Sequence, residues 1–191
     1  MEYYVWEALA GKDAAVLTDL QNYEGVVDIK RGRKLTGPLP DDAFFEMNPR
    51  YPKDIFLEEQ ISNMDKMVLV SPKFSEFLVS ENLSGIEYLP VNIKDHKGVL
   101  SKERYQIVHS TKVIDCIDKS NSDLLWNKID PSFLSGCYEL VLNEERIKEE
   151  DVIFRLKHLE TFLIVREDLV EKINRAGFSG VDMTNIDEFE S

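Results

Sequence analysis

Four groups of side chains in this 191-residue chain are of types that could do chemistry. The first is Asp115, Cys116 and Asp118, a thiol among carboxylates. A cysteine nucleophile acts as its thiolate, and adjacent negative charge raises the thiol pKa and suppresses that form. The spacing therefore reads as a turn fixed by side-chain to backbone bonds. The second group is His96, His109 and His158. No two are four apart, the spacing that sets two ligands on one helical face, so no metal site is expected. The third is Lys30, Arg31, Arg33 and Lys34 around Gly32. It lacks the glycine spacing of a phosphate-binding loop and reads as a solvated hairpin. The fourth is the densest run of acids, Glu144, Glu145, Glu149, Glu150 and Asp151. It reads either as a solvated loop or as a docking surface for a basic partner. Acid–base pairs cannot be chosen among 36 acids without distances, so no catalytic, cofactor-binding or metal residue is assigned.

The balance of the chain narrows the classes. A net charge of −13 argues against nucleic acid and anionic lipid, both of which demand a basic face, and suits a basic partner or plain solubility. Hydrophobic residues at 43% and charged residues at 31% are those of a globular protein, with no apolar run long enough for a membrane span. The opening MEYYVWEALAGK has an acid at position 2 and no basic region before its apolar residues. It does not read as a secretory signal, and a cytoplasmic location is expected. Cys116 and Cys137 sit in apolar settings and read as buried free thiols.

These groups must be positioned by a frame, and its clearest part is 67–91. The apolar run 67–70 is a buried strand, Ser71-Pro72 an N-cap with proline at the first helical position, and Phe74, Phe77 and Leu78 one helical face. Asn82 ends the helix in a left-handed conformation, Leu83 closes back on Leu78, and Gly85 starts a second strand. The design recurs without gaps when Val70 is aligned with Val165. Glu76, Ser84 and Gly85 then fall on Glu171, Ser179 and Gly180, and Asn82 falls on Gly177. The two units are a candidate internal repeat, or two independent strand-helix-strand units. Phe74, Leu78, Ile164, Leu169 and Ile173 are the predicted core.

Elsewhere the aromatic stretch 2–8 reads as a strand suited to an edge. Residues 9–49 read as irregular strands and turns, 50–54 as a turn, and 55–61 as a short strand or a helical turn. A hairpin turning at 95–98 leads to a strand at 104–110. The period of 113–120 is ambiguous, 118–126 could be a short helix, and 136–142 is a strand. Residues 143–151 form a turn or short helix, 152–156 a strand, and the acidic 184–191 a fraying tail. The sum is an α+β protein with a mixed, mostly antiparallel sheet and two short capped helices. A single domain is expected over 1–191, with an irregular β-rich part at 1–60 and a core at 61–191.

The blocks KMVLVSPKF, GIEYLPVNI, YQIVHSTKVIDCIDKSNS, YELVLNEERIKEEDVIFRL and TFLIVREDLVEKINRAGFSGV, in that order, resemble a bacterial immunity-protein family first defined on a myxobacterial immunity domain. The likeness covers about 66–181; the N-terminal third offers only the opening strand and a GPLP turn. It implies a protein without enzymatic activity that binds and neutralises a cognate toxin, polymorphic or contact-delivered and encoded by a neighbouring gene, and it carries over no site residue. The contrasting class is a small cytoplasmic hydrolase or transferase built from dispersed acids and His109 or His158. Protection that survives loss of each histidine and of Cys116 favours the first.

Overall fold

The computed structural model describes residues 1–190. In chain order its elements are β1 (Tyr3–Ala8), α1 (Val26–Lys30), β2 (Phe44–Glu46), β3 (Leu69–Val70), α2 (Pro72–Ser80), β4 (Ile86–Lys94) and β5 (Tyr105–Ser110). Then come β6 (Val113–Ile114), β7 (Asp123–Trp126), β8 (Leu134–Glu139), β9 (Ile153–Leu156), β10 (Leu159–Arg166), α3 (Glu167–Ala176) and β11 (Val181–Asn185). One sheet has the order β11-β1-β10-β9-β6, a second β2-β4-β5-β3, and β7 and β8 form a ribbon. Pairing is antiparallel except between β2 and β4 and between β6 and β9, as an α+β chain with a mixed sheet requires.

Local chemistry sets both main helices. The Ser71 hydroxyl accepts from Phe74 N at 3.2 Å, Pro72 opens α2, and Asn82 lies just past its end at φ 52°. Helix α3 ends at Gly177, whose φ is 71°. Phe74, Leu78, Leu169, Val170 and Ile173 join Trp6, Val68, Val70, Val108, Leu163 and Val165 in one buried cluster, so the helices and both sheets share a core. The Phe74 and Phe178 rings stack at 4.0 Å.

The two strand-helix-strand units agree in more than pattern. In each, an antiparallel strand lies between the two parallel ones. Gln106 of β5 is opposite both Val70 and Pro90, and Tyr4 of β1 is opposite both Val165 and Asn185. Ile107 likewise lies between Leu69 and Leu89, and Val5 between Ile164 and Thr184. One shift of 95 positions (70 to 165, 90 to 185) relates every partner, and it also carries the left-handed Asn82 and Gly85 onto Gly177 and Gly180. The units differ in what surrounds them. β5 comes after its unit whereas β1 precedes its own, and β2 lies on the outer side of β4 at residues 92–94 whereas β11 is an edge among the described strands.

Four readings of local pattern are corrected. The 2–8 stretch is no edge strand: β1 is flanked by β10 and β11, with Tyr3, Val5 and Trp6 buried, because its partners come from the far end of the chain. The basic cluster is no hairpin. It is the end of α1, too short for a helical period to show, where Lys30 pairs with Asp65 at 3.7 Å, Arg33 with Asp28 at 2.9 Å, and Arg31 lies over the Phe133 ring. The 118–126 helix is instead a turn that leads into β7: the Asp118 carboxylate accepts from Ser120 N and Asn121 N, a capping geometry that turns and helix starts share. The acidic tail does not fray over its described part. β11 runs to Asn185, a 3-10 turn covers Ile186–Glu188, and Phe189 packs edge-on against Phe162 at 5.0 Å. Residue 191 lies outside the described residues.

Candidate partner-binding face

The groups that could do chemistry are each held by the fold. Cys116 is fully buried, and burial first, then Asp115, pushes its thiol up to about 12. Asp115 ion-pairs with Lys157 at 2.9 Å, which holds its carboxyl below the usual range. Asp118 is pulled down to about 2 by the Ser120 hydroxyl and then by the Asn121 amide, so it is an ionised turn clamp. His158 Nδ1 is 2.7 Å from the Ser132 carbonyl oxygen and its Nε2 3.1 Å from Lys119 Nζ. Among the described residues no three of His, Cys, Asp and Glu gather as a metal site would need.

His109 lies on β5 with no exposed surface, its Nε2 3.0 Å from the Arg33 carbonyl. Burial, the largest influence, lowers its pKa. The folded chain therefore binds less proton than the unfolded one below about pH 6.5, the free histidine value, and stability falls as pH drops through that window. Urea midpoints at pH 7 and 5.5 should separate in the native chain and converge in His109→Gln. Equal separation in both would mean that this histidine does not set the pH dependence.

The acidic run forms a built loop. Asn143 Oδ1 accepts from Glu145 N at 3.1 Å and starts the 3-10 turn Glu144–Arg146. Arg146 Nη1 reaches the Asp115 carbonyl at 3.0 Å. Asp151 departs from its neighbours: it is 5% exposed, accepts from Lys148 N at 3.1 Å and ion-pairs with Lys112. It closes the loop from inside, whereas Glu144, Glu145, Glu149 and Glu150 are exposed.

The sheet order brings further acids to this loop that the sequence run does not contain. The Met1 amine pairs with Glu144 at 3.2 Å, and Arg166 donates to the Glu149 carbonyl and pairs with Asp168 at 2.7 Å. Glu2 N donates to the Glu167 carboxylate at 3.4 Å, and Glu2 Oε2 accepts from Asn185 Nδ2 at 3.1 Å. Two grooves share Met1, Tyr3 and Glu144, one of about 160 Å³ reaching Asp187 and one of about 420 Å³ reaching Glu149 and Asp168. Burial and then the Glu144 charge raise the Tyr3 pKa. Glu2, Glu167 and Asp187 join the run only because β1 lies between β10 and β11, which no local pattern reveals.

A separate cavity of about 260 Å³ lies by Trp6, Gln60, Asn63 and Phe162. Its buried amides are satisfied: Gln60 bonds Trp6 Nε1 at 2.7 Å and the Glu7 carbonyl at 2.8 Å, and Asn63 bonds the Met67 backbone at 2.7 and 3.0 Å.

No curated protein matches the chain. The model of the Immunity protein family (Imm11) matches residues 24–188. The match reaches further into the N-terminal third than the blocks in 66–181 and leaves out β1.

Proposed function

The chain belongs to the Immunity protein family (Imm11), and from that premise we propose that it binds a cognate bacterial toxin and blocks it without chemistry of its own. Membership over 24–188 is the observation that carries this reading. The states of Cys116 and His109 agree with it, since a buried protonated thiol is a poor nucleophile and an imidazole with no exposed surface reaches no substrate. No helix among the described residues is long and apolar enough to cross a membrane, and the protein acts in the cytoplasm, on a toxin that has entered or escaped there.

The docking face is the acidic one, where Glu144, Glu145, Glu149 and Glu150 meet Glu2 and Glu167, with Asp151 holding the loop from behind. Its complement is a basic surface on the toxin. The −13 charge then steers encounter, with association on the order of 10⁸ M⁻¹s⁻¹ at low salt. Reversing Glu144, Glu145 and Glu149 to lysine should slow association and flatten its salt dependence, with less effect on dissociation. Stopped-flow mixing with the purified toxin of the neighbouring gene, at several ionic strengths, reads both. An unchanged rate and salt slope would reduce this loop to solvated surface.

A further inference from the structure

The open edge of the first sheet is the second feature that bears on a partner. Leu9 N donates to the Gly180 carbonyl, and the β1–β11 register continues from that pair. In an antiparallel ladder hydrogen-bonded pairs alternate, so Asp182 and Thr184 bond inward to β1 while the backbone groups of Val181, Met183 and Asn185 point outward. Among the described residues nothing pairs with that outer side. In the other unit Thr111 N bonds the Gly85 carbonyl in the equivalent place, and β2 adds parallel to the outer side of β4 further along, at residues 92–94, with Asn92 N donating to the Ala43 carbonyl. The shift of 95 carries that contact to 187–189, past the end of β11.

Charge says what kind of strand would fit. Asp182 lies directly opposite Glu7, a like-charged cross-strand pair, and neither carboxylate has an ion-pair partner among the described residues. A third strand with a cation beside Asp182 would complete that row. We propose that β11 receives an extended segment of the toxin as an added strand, with lysine or arginine beside Asp182. The inference rests on the toxin-binding reading and names one contact within it. Backbone pairing supplies the attachment and the carboxylates its preference for a basic strand.

Three variants and one exchange experiment test it with the purified toxin of the neighbouring gene. Asn185 has φ −56°, which a proline ring accepts, and among the described residues nothing accepts from its outward N–H. Asn185→Pro should bind about fivefold more weakly than Asn185→Ala, which loses the same side-chain bonds but keeps the donor. Asp182→Lys should raise the thermal midpoint of the free protein by relieving Glu7 and still weaken the complex by about tenfold. In amide exchange followed by NMR, Val181, Met183 and Asn185 should be fast in the free chain and protected in the complex, with Asp182 and Thr184 slow in both. A complex in which the three outward amides still exchange freely would overturn the strand addition and leave toxin binding intact. No complex at all would overturn both.

Discussion

Gly180→Ala should lower the stability of this protein by about 2–5 kcal/mol, whereas Gly177→Val, although the larger substitution, should cost about 1–2 kcal/mol. Both glycines are left-handed, at φ 78° and 71°, so each substitution meets a backbone penalty, the larger one falling on the β-branched valine. The difference is space. A side chain at Gly177 meets nothing within 4 Å, but a Cβ at Gly180 would collide with the Gln60 carbonyl oxygen. That oxygen is on backbone fixed at both ends, since Gln60 N donates to the Ser179 carbonyl at 3.0 Å and the Gln60 side chain holds Trp6 and Glu7. The neighbouring Glu59 is also committed, accepting from Ser179 N and Oγ, both at 3.0 Å. Relief would require the 58–60 segment to move off the turn before β11. Urea unfolding of the two variants checks the order, and equal losses would show that the approach of backbone to backbone does not govern this turn.

Phe74→Ala should cost about 3–5 kcal/mol and Leu78→Ala or Ile173→Ala about 2–5 kcal/mol, while Glu76→Ala should stay within about 0.5 kcal/mol. Phe74 has no exposed surface, stacks on Phe178 and touches the Trp6 ring at 5.8 Å, so its loss opens a cavity where both helices and both sheets meet. Leu78 and Ile173 are its neighbours in that cluster, one from each helix. Glu76 faces solvent on α2. Comparable losses at Glu76 and Leu78 would mean that the helix presents a different face to the core.

The two strand-helix-strand units are legible in the sequence because their determinants are local. A hydroxyl-proline start, a stop residue at Asn82 or Gly177, and apolar positions on one face act within about a dozen residues. All five predicted core residues are buried. The features that local pattern does not reveal depend on distant partners. The middle place of β1 requires strands from residues 159–185, and the five-residue α1 offers too little period to read. Asp118 illustrates a third cause: its carboxylate caps a turn with the bonds that would start a helix, and pairing with β8 makes the next segment a strand instead. For the candidate face, the run 144–150 is visible as composition. Its junction with Glu2 and Glu167, and the inward turn of Asp151, come from the sheet order and from the Lys112 ion pair.

Blocking by occupation has a stoichiometry that chemistry lacks. The most direct test is therefore a titration of the neighbouring gene's toxin, at a fixed concentration well above the dissociation constant, with this protein, reading residual toxin activity after short and long incubation. If the chain works by binding and occlusion, activity falls in a straight line, reaches its floor at a fixed molar ratio, and does not change with time. Loss of activity that deepens with time at far below one equivalent would show that the chain modifies its toxin catalytically and would contradict the account.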